Sequence, residues 1–395
     1  MTNSKEWKQK TRLVHEGQNR SPYGETAEAM YLTSGYVYET AEQAEARFRE
    51  EDDGFIYSRF GNPTVRAFEE RMIGLEGTQD ARATATGMAA VTATMMSQLQ
   101  AGDHIVAAQA LFGSCRYVVE TLMPKFGVAC TLVDGRDIEA WKAAVRPETK
   151  VFFLETPSNP LLEIVDMQAV ADIAHENGAR LVVDNVFATP ILQRPTDFGA
   201  DIVVYSATKH IDGQGRCLGG VILGQNDFIQ DELANFLRQT GPSLSPFNAW
   251  VMLKALETLP LRVDAHCDNT ETVAAFLAQH KNIERVYYPG HDSHPQYELA
   301  SKQMSRGGNL IAFDVKGDKA EAFKFINQLE LALISNNLGD AKTLVTHPAT
   351  TTHFKLEQAA KDQLRILGGT VRVSIGLEDS NDLVHDFDQA LAHLG

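Results

Sequence analysis

The sequence predicts an α/β fold, with a mostly parallel seven-stranded sheet covered by helices and a smaller α/β unit after it. Three observations carry this. Between Asp80 and about Gly224, short apolar and β-branched runs alternate with helical stretches, the signature of strand–helix–strand units. From Gln225 to His280 the pattern is helical, and the chain leaves the first domain near Leu259-Pro260-Leu261. From Ile283 a second, shorter alternation begins.

At 395 residues the chain can bury a large core and fill two or three domains. We divide it into an N-terminal arm (1–60), a main α/β domain (61–258) and a C-terminal α/β domain (259–395). Hydrophobic residues at 44% and charged residues at 22% are ordinary for a soluble globular protein. A formal net charge of −16 argues against a general electrostatic footprint for nucleic acid or an anionic membrane. It leaves room for an anionic substrate in a locally positive pocket. The stretch from Met1 to Arg12 is polar, without a signal-peptide core, and no apolar run approaches ~20 residues, so no membrane span is expected. Cys115, Cys130, Cys217 and Cys267 are scattered with no Cys-x-x-Cys pair. That suits free thiols in a reducing cytoplasm better than disulfides or a zinc site.

Up to about Tyr38 periodicity is weak and turn formers are frequent, so this arm is expected to lie on something else, such as another subunit. Residues 41–50 read as a short amphipathic helix. Tyr57 to Thr64 is a turn-rich loop that opens a helix with Pro63 near its first position, where a missing N–H costs nothing. Strands are expected at 81–85, 104–109, 129–133, 151–155, 180–184, 202–205 and 220–223. Helices fill gaps at 88–99, 114–126 and 167–177. In the last part, strands are expected near 286–288, 310–315, 331–335 and 371–375, with a final helix at 380–394. Ligands of such sheets bind beyond the carboxyl ends of the strands, where Gly87, Glu155, Asn159, Asp184 and Lys209 fall.

The apolar run Asp201-Ile202-Val203-Val204-Tyr205 leads into Ser206, Thr208 and a single lysine, Lys209. Desolvation at the mouth of such a strand disfavours the ammonium and frees an amine able to form a Schiff base with an aldehyde. Alternatively, Lys209 ends the strand and snorkels into water. Ser206 and Thr208 would be phosphate ligands on the same turn. Thr86-Gly87-Met88 joins a strand to a helix, where unpaired N–H groups and the helix dipole favour an anion. The same glycine would also serve a plain tight turn. No Gly-x-Gly-x-x-Gly occurs, which disfavours a nucleotide-binding protein such as a dehydrogenase. Asp184 would cap the turn after its strand or, beside a pyridine ring, keep the ring nitrogen protonated. Tyr57 and Arg59, two apart in an extended loop, can face one anion. Arg372, amid β-branched residues, either turns to solvent or projects into a cleft to take an α-carboxylate. His347 and His353 lack a convincing third ligand and are read as structural, so no metal is expected.

Four motifs stand in order: Tyr57-Ser58-Arg59 with Gly61-Asn62-Pro63-Thr64, Glu155-Thr156-Pro157-Ser158-Asn159-Pro160, Val183-Asp184-Asn185, and Ser206-Ala207-Thr208-Lys209. Together they resemble the Cys/Met-metabolism family of pyridoxal-phosphate (PLP) enzymes, over nearly the whole chain from Tyr57 onward. The resemblance implies the aspartate-aminotransferase-like fold, type I of the PLP-dependent transferases, with 61–258 as the PLP-binding domain. It also implies roles. Lys209 would hold the cofactor covalently, and Gly87, Met88, Ser206 and Thr208 would bind its phosphate. Tyr57 and Arg59 would reach in from a neighbouring subunit, on the arm. Asp184 would pair with the pyridine nitrogen and Asn159 with the ring's 3-oxygen. Arg372 and Asn337 would bind substrate. The implied assembly is a homotetramer, a dimer of dimers.

Two departures refine the resemblance. Where the family often has a ring-stacking tyrosine, this chain has Leu111-Phe112-Gly113-Ser114, so Phe112 keeps the stacking and the hydroxyl is lost. Asn336-Asn337-Leu338-Gly339-Asp340-Ala341-Lys342 replaces a Ser-Leu-Gly-Gly-x-Glu pattern and looks more like the homoserine-ester sulfhydrylases. The activity implied is replacement of the acyl group of O-succinylhomoserine by sulfide, giving homocysteine and succinate. The alternatives are cystathionine γ-synthase, O-acetylhomoserine sulfhydrylase, and a cystathionine or methionine γ-lyase. A second substrate carboxylate would need a positive group, for which Arg116, Arg216 and Lys342 are candidates.

Overall fold

The computed structural model describes residues 7–18 and 20–394. Its first sheet has seven strands: β1 (Asp80–Thr84), β2 (His104–Ala108), β3 (Ala129–Val133), β4 (Thr149–Glu155), β5 (Arg180–Asp184), β6 (Ile202–Ser206) and β7 (Gly220–Gly224). Their order is β1-β7-β6-β5-β4-β2-β3. Each lies within two residues of its expected span. The second sheet has five: β8 (Ile283–Tyr287), β9 (Leu310–Val315), β10 (Leu333–Ile334), β11 (Leu344–Thr346) and β12 (Thr370–Ser374), in the order β10-β11-β12-β9-β8. β10 is shorter than expected and β11 was not expected at all. Three residues are too few for periodicity to register.

Packing divides the chain into two compact units, neither continuous in sequence. One comprises residues up to Gln98 with Val204–Thr208 and Arg216–Glu257. Here β1 runs antiparallel to β7, Asp80 opposite Gly224. Helix Pro63–Glu76 starts on Asn62, whose Oδ1 accepts from the Thr64 and Val65 N–H groups at 2.9 and 3.4 Å. It stops at Gly77, left-handed at φ 81°. A helix at Gln9–His15 forms in the stretch expected to be irregular, fixed by the burial of Leu13.

The other unit holds Leu99–Val203, Lys209–Gly215 and the chain from Thr258. β3, β2, β4 and β5 are parallel neighbours; β2, β4 and β5 are nearly continuously buried, as strands covered on both faces require, while β3 is buried only at Val133. The helix expected at 114–126 is a run of three geometries: α at Gly113–Tyr117, π at Val118–Leu122 and 3₁₀ at Met123–Phe126. Pro124 lacks the N–H that a regular α ladder needs there, and the turns change pitch around it. The five-stranded sheet packs Phe313, Val371 and Val373 against Val273, Leu277, Phe325 and Phe387.

Candidate active site

β4 and β5 place two carboxylates side by side, since Glu155 is the register partner of Asp184 at their carboxyl ends. Asp184 is buried; its Oδ1 accepts from the Val186 N–H at 3.1 Å and its Oδ2 from the Cys115 thiol at 3.8 Å. Burial pushes its pKa up to about 6, against the pull of those two donors. Glu155 is driven up further, by burial and then by the charge of Asp184, although the Phe112 N–H donates to its Oε2 at 2.7 Å. That bond fixes the Phe112 backbone and leaves the ring partly open to solvent.

Lys209 follows β6, and its Nζ donates to Asn337 Oδ1. Burial, then the positive charge of Arg372, lowers its pKa to about 8. This lysine is thus held by Asn337 and does not end free in water. Arg372 does not turn to solvent: it is 2% exposed, and Nη1 and Nη2 donate to Asn159 Oδ1 (2.8 Å) and to the Asn336 carbonyl (3.1 Å). Burial draws even this guanidinium down to about 10, opposed by Glu155. Both oxygens it holds are neutral, so an incoming carboxylate gains a charge-assisted pair. Within this unit the fold thus joins Lys209 to Asn337, Arg372 to Asn159, and Asp184 to Cys115. Cys115 and the Asn336 carbonyl were missed in the sequence; a buried thiol and a backbone oxygen leave no residue-type signal. His347 bridges Thr350 Oγ1 and the Gly368 carbonyl.

In the other unit, Gly87 opens helix Gly87–Gln98, with Met88 second. A Cβ on Gly87 would fall 2.6 Å from Ser206 Cβ, so only glycine brings the helix's unpaired N–H groups this close to the serine. Thr208 Oγ1 exchanges hydrogen bonds with the Gly219 backbone at 3.1 and 3.3 Å. Tyr57 and Arg59 are exposed; Arg59 lies over Phe60 and Tyr57, donates to the Arg238 carbonyl and lines a cavity of about 300 Å³.

These residues fit PLP. In one unit, the close approach of Gly87 to Ser206 leaves a cradle that a Cβ would fill; in the other, Lys209 is an amine of lowered pKa and Asp184 a buried carboxylate with thiol and amide donors. No described group of His, Cys, Asp and Glu is arranged to hold a metal ion.

The profile of the family described as Cys/Met metabolism PLP-dependent enzyme matches residues 10–392. A Mycobacterium tuberculosis protein named O-succinylhomoserine sulfhydrylase is 51% identical over 383 residues, covering 96% of this chain and 94% of that one. A Porphyromonas gingivalis protein named L-methionine gamma-lyase is 42% identical, covering 97% of both chains. A solved Campylobacter jejuni structure, described as an O-acetylhomoserine (thiol)-lyase (metY), matches with a TM-score of 0.94 at 31% identity. The match covers 98% of this chain and 100% of that one, and the structure carries N'-pyridoxyl-lysine-5'-monophosphate.

Fold and side chains together define a PLP-dependent enzyme of the aspartate-aminotransferase-like class. The chain belongs to the Cys/Met metabolism family of PLP-dependent enzymes.

Proposed function

We propose that this enzyme performs γ-replacement on O-succinylhomoserine, exchanging the succinyl group for sulfide to give homocysteine and succinate, a step of methionine biosynthesis. One observation carries the chemistry: a half-buried amine of lowered pKa, Lys209, beside a buried guanidinium, Arg372, bonded to neutral oxygens. The choice of ester is supported by the 51% identity to a protein of that name.

Arg372 receives the substrate's α-carboxylate as a bidentate fork. Lys209 acts as the base that takes the proton from Cα and, once it has passed that proton on to the π-system the bound cofactor would supply, takes the second from Cβ. When bound, PLP supplies the electron sink for the charge left on Cα. Asp184 offers its carboxylate to the ring nitrogen, Asn159 its amide to the 3-oxygen, and Phe112 its ring face. Gly87, Met88, Ser206 and Thr208 hold the phosphate. Loss of the Cβ proton drives the C–O bond at Cγ to break and succinate to leave. Sulfide then bonds to Cγ, and Lys209 returns the protons.

For the succinyl carboxylate Arg116 is preferred. It shares His353 with Arg372, both guanidinium charges acting on that imidazole, and it is held by Glu120. Lys342 is paired with Asp340 at 3.0 Å and its side chain is 58% exposed. Arg116→Ala is expected to raise KM for the succinyl ester about tenfold, while the acetyl ester is unaffected.

The division into arm, PLP domain and C-terminal domain belongs to the same proposal, with Tyr57 and Arg59 serving a neighbouring subunit in a homotetramer. The exposure of Tyr23, Leu32 and Val37 along the arm supports its being covered by another copy. Four cysteines held as thiols, with no disulfide between them, favour a reducing, cytoplasmic setting.

The purified protein should be yellow and bleach under borohydride, with pyridoxyl found on Lys209 by mass spectrometry. Lys209→Ala should lose that adduct and essentially all turnover; a variant with normal turnover would refute the mechanism. A second reading, methionine γ-lyase, is supported by the 42% identity to a protein of that name. Release of 2-oxobutyrate from methionine faster than sulfide-dependent homocysteine formation would establish it instead. A strong preference for cysteine over sulfide would point to cystathionine γ-synthase.

A further inference from the structure

Lys209 is met at its amine by Asn337, which lies in the turn 336–339. β12 grips this turn at both ends. Arg372 Nη2 donates to the Asn336 carbonyl at 3.1 Å, and the Gly339 N–H donates to Ser374 Oγ at 2.9 Å. Arg372 and Ser374 are two apart in the strand and so share a face. Leu338, between the two grips, is buried with Leu162, Phe187 and Leu310.

A second route joins Ser374 to the chain neighbour of Lys209. Asn309 Nδ2 donates to Ser374 Oγ at 3.2 Å and to the Ile375 carbonyl at 3.0 Å, and its Oδ1 lies 2.6 Å from His210 Nε2. Because the amide nitrogen is committed, His210 Nε2 carries the proton and donates. Gly339 closes on this buried imidazole. A Cβ there would fall 2.6 Å from His210 N and 3.0 Å from the ring's Cγ and Nδ1. The circuit closes through Lys209, His210, Asn309, Ser374, Gly339 and Asn337.

We propose that His210, Asn309 and Ser374 are positioning residues that hold the Asn337 amide oxygen on the Lys209 amine. This rests on Lys209 being the amine that joins PLP. An amide oxygen favours the protonated amine, so the contact offsets part of what burial takes from its proton affinity. Of the charged and titratable neighbours, Arg372 acts on Lys209 directly. His266 stands edge-on to His210 with centroids 6.3 Å apart, Arg262 donates to the His210 carbonyl at 2.7 Å, and Asp340 acts on His266. Burial above all lowers His210 and His266 to about 3 and 4, so neither titrates with the lysine.

The test is the rate at which apoprotein joins PLP, followed by absorbance and borohydride trapping across pH, whose midpoint reports the Lys209 amine. Ser374→Ala opens both routes and is expected to lower that midpoint by about 0.5–1 pH unit. Asn337→Ala should give the same shift, the double variant no more, and Ser374→Thr should restore the wild-type value. His210→Phe reads the relay from its other end if Ser374→Ala does not fold. An unmoved midpoint in either variant, with only the melting temperature lowered, overturns the proposal. Failure of the underlying reading is distinct: wild-type protein would then give no reducible adduct at Lys209.

Discussion

The amine of Lys209 sits where an ammonium is costly, lowered from 10.5 to about 8 by burial and then by Arg372. A folded value below the unfolded one means the native chain binds fewer protons between these limits. The penalty is therefore full at neutral pH and fades as pH rises from about 8 towards 10.5. The shift corresponds to about 3 kcal/mol. Apoprotein carrying Lys209→Met should resist urea better than wild type by up to about 3 kcal/mol at neutral pH, the gain shrinking in alkali. Gly87 is constrained from the opposite direction, by space. A methyl placed 2.6 Å from Ser206 Cβ must push helix and serine apart. Overpacking of this kind costs about 1–3 kcal/mol, so Gly87→Ala should weaken PLP binding about ten- to a hundredfold in a fluorescence titration of apoprotein.

Helix Pro63–Glu76 carries its start signal in one side chain that also ties down the arm. Asn62 Oδ1 caps the helix, while Nδ2 donates to the Tyr31 carbonyl at 2.9 Å. Asn62→Ala should cost about 1–2 kcal/mol in chemical denaturation, and Asn62→Asp, which keeps the cap and loses the donor, less than that. The start of this element was legible because Pro63 acts within its first turn, while the cap on Asn62 and the stop at Gly77 emerge in the structure. The run from Gly113 to Phe126 was not. Its helical character could be read, but the π and 3₁₀ turns depend on how the chain accommodates Pro124 against the buried Val118, Val119 and Met123. β12 shows the same division. Its β-branched residues announce a strand, yet whether Arg372 faces solvent or a cleft depends on β9 and β11 on either side of it.

Within the unit that holds residues up to Gln98, the arm is anchored to its own chain by a buried ion network. Arg71, with no exposed surface, pairs with Glu28 at 2.6 Å and donates to the Glu16 and Leu253 carbonyls, while Lys254 reaches Glu28 at 3.0 Å. Burial works against the charge on Glu28, but its own backbone, Lys254 and Arg71 outweigh burial and hold it down at about 2. This stabilisation is present above the ordinary value of 4.5 and is lost as pH falls through about 2. Glu28→Gln should therefore speed hydrogen exchange in the arm while leaving the exchange of β2 and β4 unchanged.

Local order could be read directly from the amino acids: the alternation that gives seven strands, the start of a helix at Pro63, the lysine that follows β6 and the acid that ends β5. Such signals are carried by residues adjacent in the chain, through propensity, capping and periodic burial. The pairing of Glu155 with Asp184, the thiol of Cys115 on that acid, and the grip of β12 on the turn beneath Lys209 had no such signature. They bring together groups as far as 128 residues apart, as Lys209 and Asn337 are, and desolvation and hydrogen-bond geometry act only once folding has placed those groups together.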